Sequence, residues 1–192
     1  MATNLSTKET PPGVSLPELE TEVGPPADSR EAWGKPSKKA AETTYRQAAS
    51  EEDAWGVFKL IVAMHEENGL QSFSYKAAWM HIQTFVRAPE AFVVVAERDG
   101  EIVGSIGACP RHFWYSDEMY VSDSWIYVAK KYRRTRIINR MKKLYEEYAA
   151  QLKMPLFTGV LTPDEPERKA RLFGPKQGYK PVGYYFWKTD HV

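Results

Sequence analysis

The sequence predicts an α/β protein of the α+β kind, in which strands and helices share one core. Three observations support this class. Hydrophobic residues alternate with polar residues in some stretches and recur at helical spacing in others. Turn and helix-start residues separate these stretches, and 192 residues suffice for one substantial core. In chain order the predicted elements are β, α, α, β, β, β, α, β, α, β and β.

The first three elements begin near Thr43, where the composition becomes typical of a folded domain. The stretch TTYRQA alternates and predicts a short strand. Ser50 then begins SEED, with a carboxylate three residues later, which is typical of a helix start. Ser74 predicts the start of a second helix. The apolar faces of the two helices consist of Val57, Ile61 and Met64 in the first and of Ala78, Ile82 and Phe85 in the second.

Three strands and a long helix are predicted next. AFVVVAERDGEIVGSIGACP contains two strands joined at the hairpin signal Asp99-Gly100, and MYVSDSWIYVA is the third strand. The helix that follows has a continuous apolar stripe, made by Ile137, Met141, Leu144, Tyr148 and Leu152. Near the C-terminus, PLFTGVL predicts a buried strand, EPERKARLFG a helix and GYKPVGYYFWK a closing hairpin.

Residues 1–42, called the N-terminal arm below, are predicted to lie outside the domain formed by residues 43–192. The arm contains six prolines and few aliphatic residues, so it buries too little apolar surface to offset the entropy of ordering. We interpret it either as a disordered leader or as an arm that orders on a protein partner or on a neighbouring subunit of a homo-oligomer. In both interpretations the domain is expected to fold without it.

Composition excludes several classes of protein. Cys109 is the only cysteine, so no intrachain disulfide can form and a reducing, cytoplasmic location is expected. No apolar run has the length of a membrane span, and the four histidines have no spacing typical of a metal site. The net charge is only +1, so the chain as a whole is not a basic protein.

Positive charge is nevertheless concentrated in KKYRRTRIINRMKK, residues 130–143, called the basic segment below. It holds eight basic residues and no acid, and it lies where a predicted strand leads into a helix. Cations at the start of a helix oppose the helix dipole, so a bound anion is the simplest compensation. A strand that leads into a helix N-terminus is a phosphate site in several unrelated folds. The alternative interpretation is a surface that binds nucleic acid.

The element order and two motifs resemble the GCN5-related N-acetyltransferase (GNAT) family over roughly residues 43–188. After a strand that ends in a Val-like residue, the family has Q/R-x-x-G-x-G/A, and here Val128 is followed by Tyr132-Arg133 and the segment to Ile138. The late segment ARLFGPKQGYKPVGYYFWK is similar to the family's closing helix and hairpin. The arginine-rich loop is similar to that of some phage-encoded members. The resemblance implies a central mixed, mostly antiparallel sheet of six or seven strands, flanked by about four helices.

The resemblance also implies a cosubstrate and a set of sites. Acetyl-CoA would donate an acetyl group directly to the amine of a small molecule or a protein, with no metal. The residues expected to bind acetyl-CoA are Ile126, Tyr127, Val128, Arg133, Arg134, Thr135, Arg136, Ile137, Ile138 and Phe173. The amine must lose a proton before it attacks. Asp123, on the strand face expected for Trp125 and Tyr127, is the first candidate base or else a solvated strand residue. Glu118 and His112 are weaker candidates.

Two departures from the family pattern bear on activity. Arg136 and Ile138 occupy both glycine positions of the phosphate loop, and the Ile138 side chain either turns toward Met141 and Leu144 or fills the phosphate site. Phe173 and Gly174 stand where the family often has a tyrosine that protonates the departing thiolate. A thiol has a pKa of about 8.5, so loss of this acid costs only about 2 kcal/mol at neutral pH and slows the enzyme without abolishing it.

Three functions therefore follow from the sequence. The first is an acetyltransferase of the GNAT type. The second is a catalytically silent GNAT-like domain with a structural or binding role, for example in a phage particle, which would give a virion location. The third is nucleic-acid binding through the basic segment, which the near absence of interleaved aromatic residues disfavours.

Overall fold

The computed structural model describes residues 42–163, 165–183 and 186. These residues form a five-stranded sheet with strand order β1-β2-β3-β4-β5. The strands are β1 (Thr43–Gln47), β2 (Phe92–Arg98), β3 (Glu101–His112), β4 (Met119–Val128) and β5 (Leu156–Phe157), and the helices are α1 (Glu51–Asn68), α2 (Tyr75–Arg87), α3 (Ile137–Gln151) and α4 (Pro166–Ala170). Strands β1 to β4 pair antiparallel, and β5 joins β4 in parallel.

The two predicted helix starts are confirmed. Ser50 caps α1 with a capping box, in which its hydroxyl accepts from the Asp53 amide and the Asp53 carboxylate accepts from the Ser50 amide. Ser74 caps α2 by accepting from the backbone N–H of Ala77. Helix α1 ends at Gly69, whose left-handed backbone (φ 50°) suits a helix C-cap.

The sheet separates two cores. On one face, α3 packs its predicted apolar stripe against β2, β3 and β4, in a cluster that includes Ile106, Met141 and Leu144. On the other face, α1 and α2 pack against the sheet in a cluster that includes Val57, Phe85 and Trp125. The helices on both faces explain why the middle strands read as almost uninterrupted apolar runs.

A close approach between β3 and β4 depends on the absence of a side chain. The indole ring of Trp125 lies directly over Gly107, so a Cβ atom there would overlap the ring. The same indole donates from Nε1 to the hydroxyl of Ser105 at 3.1 Å. Gly107 therefore allows Trp125 to lie flat on the sheet and to have its polar atom satisfied.

The order of the first nine predicted elements is confirmed, with differences in length. Strand β5 has two residues, whereas seven were predicted, because the chain turns away from β4 after Phe157. The predicted helix over 165–174 is α4 followed by a 3-10 turn. The sheet has five strands in the described residues rather than six or seven. In the predicted closing hairpin, residues 178–183 and 186 form no strand, and residues 184, 185, 187 and 188 lie outside the described residues.

Candidate active site

A cleft opens where β4 and β5 stop pairing. Their pairing comprises Val121 with Leu156 and Ser122 with Phe157. From Asp123 to Val128 no strand among the described residues pairs with the β5-facing edge of β4. Backbone N–H and C=O groups on such an edge are available to an extended ligand. We call the space between this part of β4 and the chain after Phe157 the cleft.

A β-bulge lies at the closed end of the cleft. Gly107 pairs with Trp125 and Ala108 pairs with Asp123, so Ser124 is the extra residue in β4. A bulge reverses the alternation of side chains along a strand. Trp125 packs in the α1/α2 core, whereas Asp123 lies on the α3 side beside Tyr145. The expectation that Asp123 shares a face with Trp125 and Tyr127 was therefore wrong, because strict alternation does not hold through Ser124.

Asp123 is a carboxyl group in a mostly buried, hydroxyl-lined position. The Tyr145 hydroxyl lies 3.5 Å from its Oδ1 and 3.5 Å from the Phe157 carbonyl oxygen. Burial raises the pKa of Asp123, and the neighbouring Thr158 and Tyr145 hydroxyls and the charge of Arg111 oppose this shift in part. Burial also raises the pKa of Tyr145, with the Asp123 charge adding to the effect. A carboxyl group whose pKa is shifted toward neutrality is suited to proton transfer.

Thr158 adds an unsatisfied hydroxyl at the same place. Its Oγ1 is buried and has no hydrogen bond of ordinary geometry to any described residue, although it lies near enough to Asp123 to affect its pKa. Thr158 directly follows β5, so this hydroxyl lies where the cleft begins. Thr158 therefore places a buried hydroxyl beside Asp123 at the start of the cleft.

The N-terminus of α3 lies beyond the last residue of β4 and presents free backbone N–H groups. Arg136 is the N-cap residue and its side chain does not cap the helix. The Ile137 amide donates to the Thr135 hydroxyl at 3.4 Å, and the first helical bond is from Arg140 to Arg136. The amides of Ile138 and Asn139 therefore have no partner within the helix. Such a terminus favours an anion.

The eight cations of the basic segment divide into two groups. Four are paired with acids: Lys131 with Glu101, Arg133 with Glu67, Lys142 with Glu146, and Lys143 with Glu147. The other four, which form no ion pair with a described residue, are Lys130, Arg134, Arg136 and Arg140. Three of the four, Arg134, Arg136 and Arg140, lie within three residues of Ile137, the first residue of α3, so this cationic charge is close in sequence to the free N–H groups.

Arg133 makes contacts with α1 and β4 from a partly exposed position. Its Nε donates to the Val128 carbonyl at 3.0 Å and its Nη2 donates to Glu67 Oε2 at 2.5 Å. The guanidinium group also lies 5.2 Å from the centre of the Tyr127 ring. These contacts use the Nε donor and one Nη2 donor of Arg133, and they make Arg133 a support of the loop.

The Ile138 side chain turns toward the core. It packs against the α3-side cluster that contains Met141 and Leu144, as the first of the two sequence alternatives requires. Ile137 is buried in the same cluster. The isoleucine therefore leaves the space in front of the helix N-terminus to the backbone and the arginines.

The remaining predicted site residues lie at the two ends of the fold. Phe173 lies beside α3, with its ring 5.4 Å from that of Tyr179 and 5.9 Å from Lys142 Nζ. His112 and Glu118 are exposed at the turn between β3 and β4. Glu118 precedes Asp123 by five residues, about 16 Å along a strand. The structure therefore brings Asp123 to the cleft and leaves His112 and Glu118 at the other end of β4.

Sequence reasoning did not select Thr158, Tyr145 or Glu67. Tyr145 lies among the apolar residues of α3, where the pattern predicts a core residue. Only its hydroxyl reaches the cleft. Glu67 and Arg133 are separated by 66 positions, so no local pattern connects them. Thr158 follows a strand of two residues, which gives no periodic signal.

The described residues contain neither a membrane-spanning helix nor a cluster of metal-ligating side chains. None of the described helices combines the length and apolar character needed to cross a membrane. Within residues 42–163 and 165–183, no three histidine, cysteine, aspartate or glutamate side chains are grouped as metal ligands.

The fold and the cleft together define a class, the N-acetyltransferases. A model of the acetyltransferase (GNAT) family matches residues 54–179, from α1 to the end of the described C-terminal turns. This match covers well over half of the chain. The chain therefore belongs to the GNAT family of acetyltransferases.

Solved structures with the same fold are enzymes of this kind. The aminoglycoside N-acetyltransferase AAC(6')-Iy in complex with CoA is 12% identical, with a TM-score of 0.61 over 81% of this chain and 99% of that one. An aminoglycoside acetyltransferase from an uncultured soil metagenomic sample, in complex with sisomicin, is 17% identical, with a TM-score of 0.54 over 77% and 97%. A ribosomal-protein-alanine N-acetyltransferase from Brucella melitensis biovar Abortus 2308 is 14% identical, with a TM-score of 0.53 over 78% and 98%. No curated protein matches the sequence.

Proposed function

We propose that this protein transfers the acetyl group of acetyl-CoA directly to an amine acceptor. A single observation carries the proposal. The open edge of β4 leads to the N-terminus of α3, which is rich in cations and has no side-chain cap. The open edge runs from Asp123 to Val128, and the N-terminus of α3 follows eight residues later. An extended thioester arm that ends in phosphates has the shape and charge to occupy both.

The residues present fit this cosubstrate. The free amides of Ile138 and Asn139 and the unpaired Arg134 and Arg136 would hold the phosphates, because guanidinium groups and helix N-termini both bind phosphate oxygens. The edge of β4 that includes Ile126, Tyr127 and Val128 would hold the extended arm by backbone hydrogen bonds. The buried Thr158 hydroxyl at the start of the cleft could contact a polar group of the ligand as well as Asp123.

The chemistry assigned to the chain's own residues is proton transfer and orientation. The acceptor amine loses a proton, its nitrogen forms a bond to the thioester carbonyl carbon, and the carbon–sulfur bond breaks to release CoA. We assign Asp123 as the base that takes the amine proton, because burial shifts its pKa toward the working range. Backbone N–H groups of β4 near Trp125 would stabilise the developing oxyanion. The thiolate leaves without being protonated by a side chain, which costs about 2 kcal/mol at neutral pH.

The acceptor class is an amine of a small molecule or of a protein. The solved relatives with the same fold include enzymes named for aminoglycosides and for a ribosomal-protein alanine, so both sizes of acceptor suit this fold. The cleft supplies a base and a cosubstrate site for either.

Calorimetric titration of CoA into the full chain tests the proposal. We expect binding that weakens as salt rises, because the phosphate contacts are largely ionic. Arg134→Gln combined with Arg136→Gln should weaken binding by about tenfold or more. Lys143→Gln is the matched control, since Lys143 lies in the same segment but is paired with Glu147. Absence of CoA binding, together with tight binding of RNA or DNA of any sequence, would contradict the proposal.

A further inference from the structure

The last turn of α1 connects the two sides of the cleft. Glu67 and Asn68 end this helix before the Gly69 cap. Glu67 contacts the β4 side, through Tyr127 and Arg133. Asn68 contacts the β5 side, where its Oδ1 accepts from the Thr162 hydroxyl at 2.9 Å. The helix end therefore lies across the open end of a cleft whose closed end is the β4–β5 pairing.

Both carboxylate oxygens of Glu67 are used. Oε1 accepts from the Tyr127 hydroxyl at 2.7 Å and Oε2 accepts from Arg133 Nη2 at 2.5 Å. Burial and the Glu67 carboxylate together raise the pKa of Tyr127 to about 12, so Tyr127 remains a hydrogen-bond donor at any physiological pH. Charge-assisted bonds of this kind are strong and directional.

Arg133 transmits this restraint to the loop before α3. Its Nε holds the Val128 carbonyl at the last residue of β4 while its Nη2 holds Glu67. The position of the loop from Lys130 to Arg136 therefore depends on a carboxylate that belongs to α1. On the other side, the Lys169 ammonium of α4 donates to the same Thr162 hydroxyl at 2.8 Å, which fixes that side as well.

We infer that Glu67 is a positioning residue for the cosubstrate: it keeps Arg133 away from the phosphates and uses it to fix the loop that binds them. This inference rests on the proposed function. Glu67 is an acid beside a phosphate site, and an acid there repels the ligand. Its two possible effects on CoA affinity therefore have opposite signs. If its charge dominates, removing the charge tightens CoA binding; if its positioning dominates, removing it weakens binding.

The test is calorimetric titration of CoA into the full-length wild type, Glu67→Gln and Glu66→Gln. Glu66 is the matched control, because it is the preceding residue with the same charge, is exposed, and its side chain forms no ion pair or hydrogen bond with the described residues. We expect Glu67→Gln to raise Kd on the order of tenfold, as a misplaced binding loop does, and Glu66→Gln to leave Kd unchanged or slightly lower. Tyr127→Phe, which removes one hydroxyl, should give a smaller rise.

Two measurements distinguish a positioning role of Glu67 from a purely structural one. The melting temperature of Glu67→Gln should change little, because the ion pair with Arg133 is partly exposed to solvent, while its Kd changes. In a double-mutant cycle, Glu67→Gln should have little further effect on Kd once Arg133 is replaced by Gln, because Glu67 acts through Arg133. Wild-type binding that Glu67→Gln leaves unchanged or tightens would overturn this inference alone. Absence of CoA binding by the wild type would overturn the proposed function and the inference with it.

Discussion

The hydroxyl of Tyr145 lies 3.5 Å from Oδ1 of Asp123, and this contact joins the middle of α3 to the bulged position of β4. The tyrosine is fully buried, so the carboxyl group faces protein hydroxyls on the α3 side. Burial makes the charged form of Asp123 costly, and the neighbouring hydroxyls stabilise this ionised form in part. Replacing Asp123 is therefore expected to lower activity and to raise stability.

Asp123→Asn should reduce acetyl transfer by about 100-fold or more, because the base is lost, and yet should stabilise the fold at neutral pH. The raised pKa of Asp123 means that the folded state favours the protonated carboxyl group. Its contribution to stability is complete below the unfolded pKa of about 3.9 and is lost as pH rises through the folded pKa. The neutral asparagine avoids this loss, so the variant should melt higher than wild type at pH 8 and equally at pH 3.

The control for this variant is Asp117→Asn in the exposed turn between β3 and β4. Both variants are measured by thiol release with the best acceptor of an amine panel, and by thermal denaturation at the two pH values. A melting temperature of Asp123→Asn below that of wild type at pH 8 would contradict the burial argument. Unchanged transfer would remove Asp123 from the role of base.

Gly107→Ala should destabilise the protein by about 1–3 kcal/mol or more, because the new methyl group overlaps the indole of Trp125 and forces it off the sheet. Chemical denaturation measures the change. Gly183→Ala is the control, since a Cβ atom at Gly183 meets nothing within 4 Å. Equal stability of the two variants would show that Trp125 does not lie against Gly107.

Ile138→Gly should destabilise the protein by about 1 kcal/mol through helix propensity, with a further loss from reduced apolar burial. It should not strengthen CoA binding, because the Ile138 side chain already packs against the α3-side core. Asn139→Gly changes the neighbouring exposed position and isolates the propensity cost. CoA binding that appears only in Ile138→Gly would mean that the side chain fills the phosphate site, and would favour a catalytically silent domain.

Deletion of residues 1–42 should leave the melting temperature unchanged. The arm contains six prolines and few aliphatic residues, so we expect it to add little apolar surface to the core. Thermal denaturation and light scattering of the shortened chain provide the measurement. A large fall in melting temperature would contradict the separation of arm and domain, whereas loss of an oligomer at constant stability would support an arm that binds a neighbouring subunit.

Local signals in the sequence were sufficient to predict most of the helices and strands. The caps at Ser50 and Ser74 and the hairpin at Asp99-Gly100 depend on residues a few positions apart, and Asp99 and Gly100 both have the positive φ that such a turn requires. The start of α3, where we propose that phosphate binds, was singled out by charge, because eight cations that oppose a helix dipole favour a bound anion.

Features that depend on contacts between residues far apart in the chain could not be predicted from the sequence. The face of Asp123 depends on one unpaired residue, Ser124, in a ladder that alternation assumes to be regular. The direction of Arg133 depends on Glu67 in another element. Two further expectations stay predictions: a cytoplasmic or virion location, and a likeness to phage-encoded members. Neither is reflected in a contact of the folded chain.

The pairing between β4 and β5 has only two residue pairs, Val121 with Leu156 and Ser122 with Phe157, and this has a consequence for local unfolding. Strands β2, β3 and β4 form long antiparallel ladders, whereas β5 is held by a short one. Release of β5 therefore exposes less buried surface than unfolding of the meander, and it forms a low-energy opening of the native state. A ligand held in the cleft, between β4 and the chain that follows β5, must be released before this opening can occur, so its binding free energy adds to the cost of the opening. The amides of β5 should consequently be the ones whose hydrogen exchange slows most when CoA is bound.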